Sequence, residues 1–482
     1  MNNPGSARYS QAAENYQKQR AQYWDEFAAE IDRWDPSRQA FRDRLCEVYR
    51  LLVPSGKRVL DLGCANGDLL AALKPSYGIG VDFSQGMIEI ARRRHPDLQF
   101  VQQDIEKLEL NEQFDYIICS DVVNDLWDLQ AAFERIRLHC HPGTRLILNA
   151  YSRVWEGPRR LAEVLRLAKR QLNQNWVTVE DLENVLFLSG FEVFRKWQEV
   201  LWPFWTPLWD TLCNRYLVKV APFRWLAISN FLVARPIPKP REKPAVVTVV
   251  VPARNEAGNI SEILDRVPEM GAGTELIFVE GNSSDHTYEA IEKEIARRPG
   301  CAAKLFRQTG KGKGDAVRLG FANATGDVLM ILDADLTVPP EDLPRFYEAW
   351  HSGKGEFVNG VRLMYPMEER AMRFFNLLGN KFFSLAFSWL LGQSIKDTLC
   401  GTKVLSREDY ETIAAHRAYF GQLDPFGDFD LIFGAAKNSL RIIDLPIRYR
   451  ERTYGETNIK RWSHGWLLLK MLVLAMRRLR FV

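Results

Sequence analysis

The stretch Val328-Leu-Met-Ile-Leu-Asp-Ala-Asp-Leu-Thr-Val-Pro-Pro340 decides the fold of the second half of the chain. An unbroken apolar run, Val328 to Leu332, stops at two carboxylates one residue apart, Asp333 and Asp335, and two prolines then bar continuation of the strand. A short apolar run bounded in this way reads as a buried strand of a parallel sheet. In open α/β sheets ligands bind at the carboxyl ends of the strands, where both acids fall. Two readings of the pair are open. Oxygen donors at this spacing suit a divalent cation, Mg²⁺ or Mn²⁺, shared with a substrate phosphate. An acidic turn with Asp335 capping the next helix needs no ligand at all.

Upstream, Ala245-Val-Val-Thr-Val-Val-Val-Pro-Ala-Arg-Asn-Glu-Ala-Gly-Asn-Ile260 is a buried strand opening into a polar turn and a helix. Glu275 to Glu280 is the next strand and also ends in an acid. Gly310-Lys-Gly-Lys-Gly-Asp315 is a cationic glycine loop suited to a diphosphate. This order resembles the family 2 inverting glycosyltransferases of GT-A type, especially the dolichol-phosphate mannose synthases and related polyprenyl-phosphate enzymes, from Val246 to Arg461. The resemblance implies a nucleotide-sugar donor bordered by Pro252, Arg254, Asn255 and Glu256, with Glu280 at the base and Lys313 in the cationic loop. Gly281 stands where relatives carry a second acid. Asp333 and Asp335 become the metal and diphosphate acids, and the acidic-turn reading falls behind. Gly360 to Arg362 and Asp397 to Lys403 resemble the segments lining the sugar and acceptor side. Asp428 or Asp430, in Phe426-Gly-Asp-Phe-Asp-Leu431, is the candidate base for a hydroxyl acceptor; a phosphate acceptor is already ionised and needs none. Arg450, Arg452 and Tyr454 to Ile459 resemble an arginine-glycine loop that closes on phosphates, with Lys460 or Arg461 as its further cation.

The first half has its own glycine turn. Arg58-Val-Leu-Asp-Leu-Gly-Cys-Ala-Asn-Gly67 is a short strand running into small residues, where Gly63 and Gly67 let the backbone turn tightly. A second strand ends about twenty residues on in Asp82, where an acid would meet ribose hydroxyls. Further strands end at Asp104 and Ser120, so strand and helix alternate as a doubly wound fold requires. The turn lacks GxGxxG, which argues against a dehydrogenase.

From Tyr9 to Pro238 the chain resembles a class I S-adenosylmethionine-dependent methyltransferase. Asp61, Gly63 and Gly67 match its first motif, Asp82 its ribose acid and Asp104 the acid beside adenine, and Ser120 joins this cofactor-binding set. Ser120, Asp121, Asn124 and Asp125 fall where the family faces the methyl acceptor; acidic caps of a helix N-terminus are the other reading. Tyr16, Tyr23, Trp24, Phe27, Ile31 and Trp34 recur at helical spacing and read as helices laid over the sheet. Gly190 to Arg195 and Asn230 to Arg235 read as a last, antiparallel strand pair. Between them Leu201-Trp-Pro-Phe-Trp-Thr-Pro-Leu-Trp209, with Arg215 and Lys219, suits either a membrane interface or a cap over the acceptor pocket.

Composition bounds the rest. A chain of 482 residues exceeds one ordinary core, and 46% hydrophobic with 26% charged residues describes a folded protein. A net charge of +3 gives no broad basic field for nucleic acid. Seven scattered cysteines make neither a disulfide framework nor a zinc pattern and favour a reducing compartment. The polar stretch Met1 to Arg20 reads as carrying no secretion signal, and no run approaches the ~20 apolar residues that span a bilayer. Phe382 to Ile395 is apolar but short. Trp466 to Met476 is interrupted only by Lys470, and Ser463, Lys470 and Arg477, seven apart, define one polar stripe, so that helix is expected to lie in a membrane interface, with a core or oligomer-forming helix as the other reading.

The expectation is therefore an α/β chain of two doubly wound domains with amphipathic interfacial helices. Residues 1–238 form the methyltransferase, 236–244 a proline-rich linker, 245–461 the glycosyltransferase and 462–482 an interfacial helix. Its partners would be a nucleotide-sugar, a polyprenyl-phosphate or other lipid acceptor, and the inner face of the cell membrane. The rival expectations are a soluble or protein acceptor, and a first half that only binds or docks.

Overall fold

The computed structural model describes residues 4–30, 36–166, 172–362, 364–365, 374–419, 427–450, 452, 454 and 461–481. It divides into two compact units, Met1–Ile237 with Phe481–Val482, and Pro238–Arg480.

In the first unit the strands are β1 (Arg58–Leu62), β2 (Tyr77–Asp82), β3 (Gln99–Gln102), β4 (Phe114–Ser120), β5 (Cys140–Tyr151), β6 (Phe191–Glu199) and β7 (Ser229–Pro236), in the order β3-β2-β1-β4-β5-β7-β6. The first five pair in parallel. β7 is antiparallel to both β5 and β6, as the last two apolar runs implied. Because β1 to β5 are covered on both faces, their residues are apolar almost without alternation. Leu60, Leu62, Ile79 and Val81 fill one layer, while Val59, Ile118, Ile147 and Phe231 fill the other. Strand order reverses between β1 and β4, which opens a crevice at their carboxyl ends.

Two helices precede β1, and only the second lies over the sheet, although the aromatic spacing belongs to the first. Helix Pro36–Leu52 lays Leu45, Val48, Tyr49 and Leu52 on the sheet. Helix Pro4–Ala28 is instead fastened to the loops at the carboxyl ends of the strands. Asp25 Oδ1 accepts from Gly86 N (3.0 Å) and from Ser84 Oγ, Gln17 donates to Asp104, and Arg20 meets Asp125 at 3.5 Å. Its polar residues have partners in those loops, and Trp24 and Phe27 of the aromatic stripe pack on Met87 and Ile90, so both faces fix its place. Ile31 and Trp34 lie outside the described residues.

In the second unit β8 (Val246–Ala253), β9 (Gly273–Glu280), β10 (Ala303–Arg307), β11 (Val328–Ile331), β12 (Phe357–Val361), β13 (Lys403–Ser406) and β14 (Ile442–Pro446) form the sheet β10-β9-β8-β11-β13-β12-β14. Every residue of β11 is buried. Its pairing is parallel to β8 on one side but antiparallel to β13 on the other, so the parallel expectation holds along one edge. Leu332 N still bonds Val250 O (3.0 Å). The chain then turns through Leu336, whose φ of 54° lies in the left-handed region, and leaves Asp333 and Asp335 at the strand's end.

The last helix, Arg461–Ala475, has one face in the core, the reading set second to the interfacial one. Leu468, Met471, Leu472 and Ala475 enter a core shared with Phe387 and Leu390 of helix Phe374–Leu391. Burying each large apolar side chain contributes roughly 1.5–3 kcal/mol, so this helix belongs to the fold of its unit. Its other face leaves Trp466, Leu469 and Val473 exposed, and the neighbouring helix exposes Phe382 and Leu385. No helix among the described residues is long and apolar enough to cross a membrane.

Candidate functional sites

At the crevice of the first unit, β1 delivers Asp61 into a dry position. The residue is buried, and neither carboxylate oxygen has a hydrogen-bond partner among the described residues. Burial, and then the neighbouring Asp82 charge, push its pKa up to about 7. The turn that follows needs its glycines: Gly63 and Gly67 sit at φ 74° and 77°, and a Cβ on Gly67 would strike the Phe100 ring at 2.7 Å. Ala65, also at positive φ, donates its N–H to Asp82 Oδ2 (3.0 Å), and Ser84 N donates to Oδ1 (2.9 Å). Burial raises Asp82 to about 6 although both backbone bonds oppose it. A cationic amine suits the orphaned Asp61, since an unpaired buried acid is costly unless a positive charge reaches it. The residues present therefore fit S-adenosylmethionine.

Ser120 ends β4, and Asp121 follows at φ 56°, a conformation that costs a non-glycine residue free energy. Its carboxylate accepts from Asn149 Nδ2 (2.5 Å), which also reaches Ser229 Oγ (3.0 Å). Burial raises Asp121 to about 7. Asp104 caps the turn Ile105–Lys107 through Glu106 N (3.0 Å). The structure thus brings Asp61, Gly63, Gly67, Asp82, Asp104 and Ser120 to one end of one sheet. Gln17, Arg20 and Asp25, on the helix that spans those loops, had no sequence signal beyond amphipathicity.

In the second unit the turns after β8 and β9 are tied together. Asn255 (φ 58°) receives Ser284 N on Oδ1 (2.8 Å) and donates its own N–H to Ser283 Oγ (3.1 Å), while Glu256 N reaches Thr287 Oγ1 (3.0 Å). Pro252 and Ala253 close β8 beside Val279 and Glu280 of β9, which places Arg254 at the mouth of the crevice. Glu280 is buried and accepts from Ser283 N. A side chain on Gly281 would come within 3.2 Å of Gln308 and 3.3 Å of Arg254, so a larger residue there would have to displace them.

Both acids of Asp333-Ala-Asp335 are paired with cations supplied by the chain. Lys313 Nζ lies 2.5 Å from Asp333 Oδ1, and Arg452 lies 2.6 Å from Asp335 Oδ2 and 3.1 Å from Glu256 Oε1. Burial works to raise Asp333, but Lys313, Lys403 and Arg362 hold it below the ordinary carboxylate range, and Lys313 is raised in turn. Glu256 stays high, at about 7, because its burial outweighs Arg452. Thr337 Oγ1 donates to Asp335 Oδ1 (2.7 Å) and fixes that carboxylate. Gly401 passes so close that a Cβ there would fall 2.4 Å from Lys313 Nζ. Asp333 and Asp335 are oxygen donors of the type a divalent cation takes, but among the described residues no group of three or more acids, histidines or cysteines gathers as a metal site, so an ion there would have to share the two acids with Lys313 and Arg452.

Behind them, Arg362 grips Asp397 at 2.7 and 2.8 Å, with Asn380 adding a third bond (3.0 Å), and Asp397 falls to about 2 despite burial, chiefly through Arg362. Lys403, fully buried, meets Asp428 at 3.0 Å. In the sequence Lys403 stands only as the end of the Asp397 segment; a lysine opening an apolar strand is the signal that marks it. Asp430 is not brought to this cluster. It pairs with Arg417 at 2.6 Å and lines a small depression with His416 and Lys437. Phe426 and Gly455 to Lys460 lie outside the described residues.

Comparison with known proteins follows the same division. Residues 248–413 match the family model described as glycosyl transferase family 2, and residues 54–202 one described as methyltransferase domain. A dolichol-phosphate mannosyltransferase of Pyrococcus furiosus is 29% identical over 220 residues, covering 44% of this chain and 59% of that protein. An undecaprenyl-phosphate 4-deoxy-4-formamido-L-arabinose transferase of Edwardsiella ictaluri is 28% identical over 216 residues, covering 44% and 62%. The chain thus spans about three fifths of the length of these relatives. Among solved structures, a methyltransferase of Thermotoga maritima, described as a possible histamine N-methyltransferase, is 19% identical and covers 44% of this chain and 98% of its own, with a TM-score of 0.36.

Proposed function

From a chain that joins a methyltransferase domain to a glycosyl transferase family 2 domain, we propose a two-site enzyme of lipid-linked glycan assembly. The second unit transfers a sugar from a nucleotide-sugar to a polyprenyl-phosphate-type acceptor with inversion. The first uses S-adenosylmethionine, which supplies an electrophilic methyl group, to methylate a glycan-related substrate. The chain works at the cytoplasmic face of the membrane as a peripheral protein, where the exposed Trp466, Leu469, Phe382 and Leu385 meet lipid.

One observation carries the acceptor assignment. Both carboxylates that could serve as base are committed, Asp428 to Lys403 (3.0 Å) and Asp430 to Arg417 (2.6 Å). A hydroxyl nucleophile would need a free base. A phosphate brings its own charge, and the printed names of the relatives, transferases of dolichol-phosphate and undecaprenyl-phosphate, are of that class.

An acceptor phosphate oxygen attacks the anomeric carbon on the face opposite the nucleoside diphosphate. The carbon–oxygen bond to the diphosphate breaks, and its electron pair leaves on that group. Lys313 and Arg452 hold positive charge where it accumulates, the kind of preorganised stabilisation that dominates such reactions. A Mg²⁺ or Mn²⁺ ion bound at Asp333 and Asp335 would add charge to the same phosphates. Pro252 to Glu256 and Glu280 border the nucleotide. Membranes incubated with labelled nucleotide-sugars and either metal should yield label in the lipid extract; label confined to soluble product overturns the proposal.

A further inference from the structure

The methyltransferase unit carries an exposed surface that neither proposed reaction uses. Helix Glu156–Val164 is amphipathic, yet none of its residues is buried, and the turn Arg153–Trp155 before it buries none either. Leu161, Val164 and Leu165 stand at i, i+3 and i+4 on one stripe, and Val164 is 79% exposed. A nine-residue helix without a packed face gains little from propensity alone. Trp155 Nε1 donates to Leu226 O (3.0 Å), which joins this helix to the segment between β6 and β7. There Phe204, Trp205, Leu208 and Trp225 are exposed, Trp205 at 67% and Leu208 at 87%.

That segment is built to hold these groups outward. Asn214 Oδ1 accepts from Leu201 N and Trp202 N (both 2.8 Å), and its Nδ2 donates to Trp202 O (2.6 Å). Lys219 is buried against Glu199, while Cys213 and Val218 are buried beneath. Trp205 and Leu208 are too exposed to line an enclosed pocket. These face water.

Charge selects the occupant. Arg153, Arg159, Arg160, Arg166, Arg215 and Arg224 belong to these two segments, against Glu156, Glu163 and Asp210. A two-fold contact with a second copy would set this positive excess against itself. An anionic headgroup layer accepts it, lets arginine stems lie along the acyl boundary, and is the depth that tryptophan prefers. We propose that this face of the methyltransferase unit inserts into the headgroup region of an anionic bilayer, through contacts of its own. It takes from the function proposed above only a site of action at a membrane.

The full chain should sediment with vesicles of phosphatidylethanolamine and phosphatidylglycerol and much less with phosphatidylcholine alone. Leu161→Glu with Val164→Glu, and separately Trp205→Ala with Trp225→Ala, should each lower partitioning about tenfold, with S-adenosylmethionine binding by calorimetry unchanged. Unchanged partitioning in both pairs overturns the inference. So does loss of a concentration-dependent dimer by the same substitutions, which marks a second copy, or a raised KM for methyl transfer with vesicle binding intact, which marks a cap. Failure of sugar transfer to lipid while vesicle binding and its loss persist would refute the glycosyltransferase proposal and leave this one standing.

Discussion

Arg452 is the residue on which the proposed donor site turns. Its guanidinium joins Glu256 and Asp335, which come from the ends of different strands. Arg452→Ala should lower the rate of lipid-linked product formation about a hundredfold, the scale of losing one charge-stabilising donor. Arg452→Lys should recover only part, because an ammonium cannot serve both acids with the arginine fork. The two aspartates of the last acidic motif separate in the same assay. Asp428→Asn leaves the buried Lys403 without its counter-charge and should cost about 3–5 kcal/mol of stability by chemical denaturation. Asp430→Asn breaks a pair with a partly exposed arginine and should leave transfer near wild type. Equal loss of transfer by both, without unfolding, would return Asp430 to the site. In the first unit, Asp61 gives a pH test. Its raised pKa means that the folded, ligand-free unit holds a proton that the unfolded chain has released, so stability falls as pH rises from the ordinary carboxylate range through about 7. A cationic ligand favours the ionised form. S-adenosylmethionine should therefore bind more tightly at pH 8 than at pH 6 and release a proton at the lower pH, read by calorimetry in buffers of different ionisation enthalpy.

At the scale of elements, the runs that told most were those with a chemical reason to stop. β11 was legible because an apolar run ended at acids and prolines, and β1 because it met glycines that the turn requires at positive φ. β13 was not, since Lys403-Val-Leu-Ser406 is too short to distinguish from loop and its antiparallel insertion depends on partners distant in sequence. Helix Pro4–Ala28 was legible as a helix, but periodicity does not say which polar face finds Asp104, Asp125 and Ser84. The helix Arg461–Ala475 shows the opposite limit: a narrow basic stripe with apolar residues around it describes an interfacial helix and a half-buried one equally well. The two roles differ in cost. Leu472→Ala should destabilise the second unit by about 2–5 kcal/mol, as truncation in a filled core does. Trp466→Ala on the exposed face should stay within about 0.5 kcal/mol in thermal denaturation. A large loss from Trp466→Ala would place that face in a core as well.

For the whole molecule, the decisive fact is that each unit contains its own sheet, its own crevice and its own set of charged groups. The division falls between Ile237 and Pro238, inside a proline-rich stretch that favours extended backbone. Every residue assigned to the cofactor end, from Asp61 to Ser120, belongs to the first unit. Every residue assigned to the donor, from Pro252 to Arg452, belongs to the second. Sites with no shared partners respond independently to substitution. Asp335→Asn removes one acid beside Arg452 and should abolish sugar transfer while leaving S-adenosylmethionine affinity within twofold of wild type. Asp61→Asn replaces the orphaned carboxylate with a neutral amide and should weaken cofactor binding at least about tenfold, with sugar transfer at saturating donor unchanged. Both are measured on the intact chain, by calorimetry and by label in extracted lipid. If Asp61→Asn slows sugar transfer on an unmethylated acceptor, the two sites are coupled through more than the linker, and independence fails. If instead the wild type transfers faster with S-adenosylmethionine than without it, Asp61→Asn loses that gain, and prior methylation of the acceptor restores it, the units act in sequence, with the methyl group serving as the mark that the second site reads.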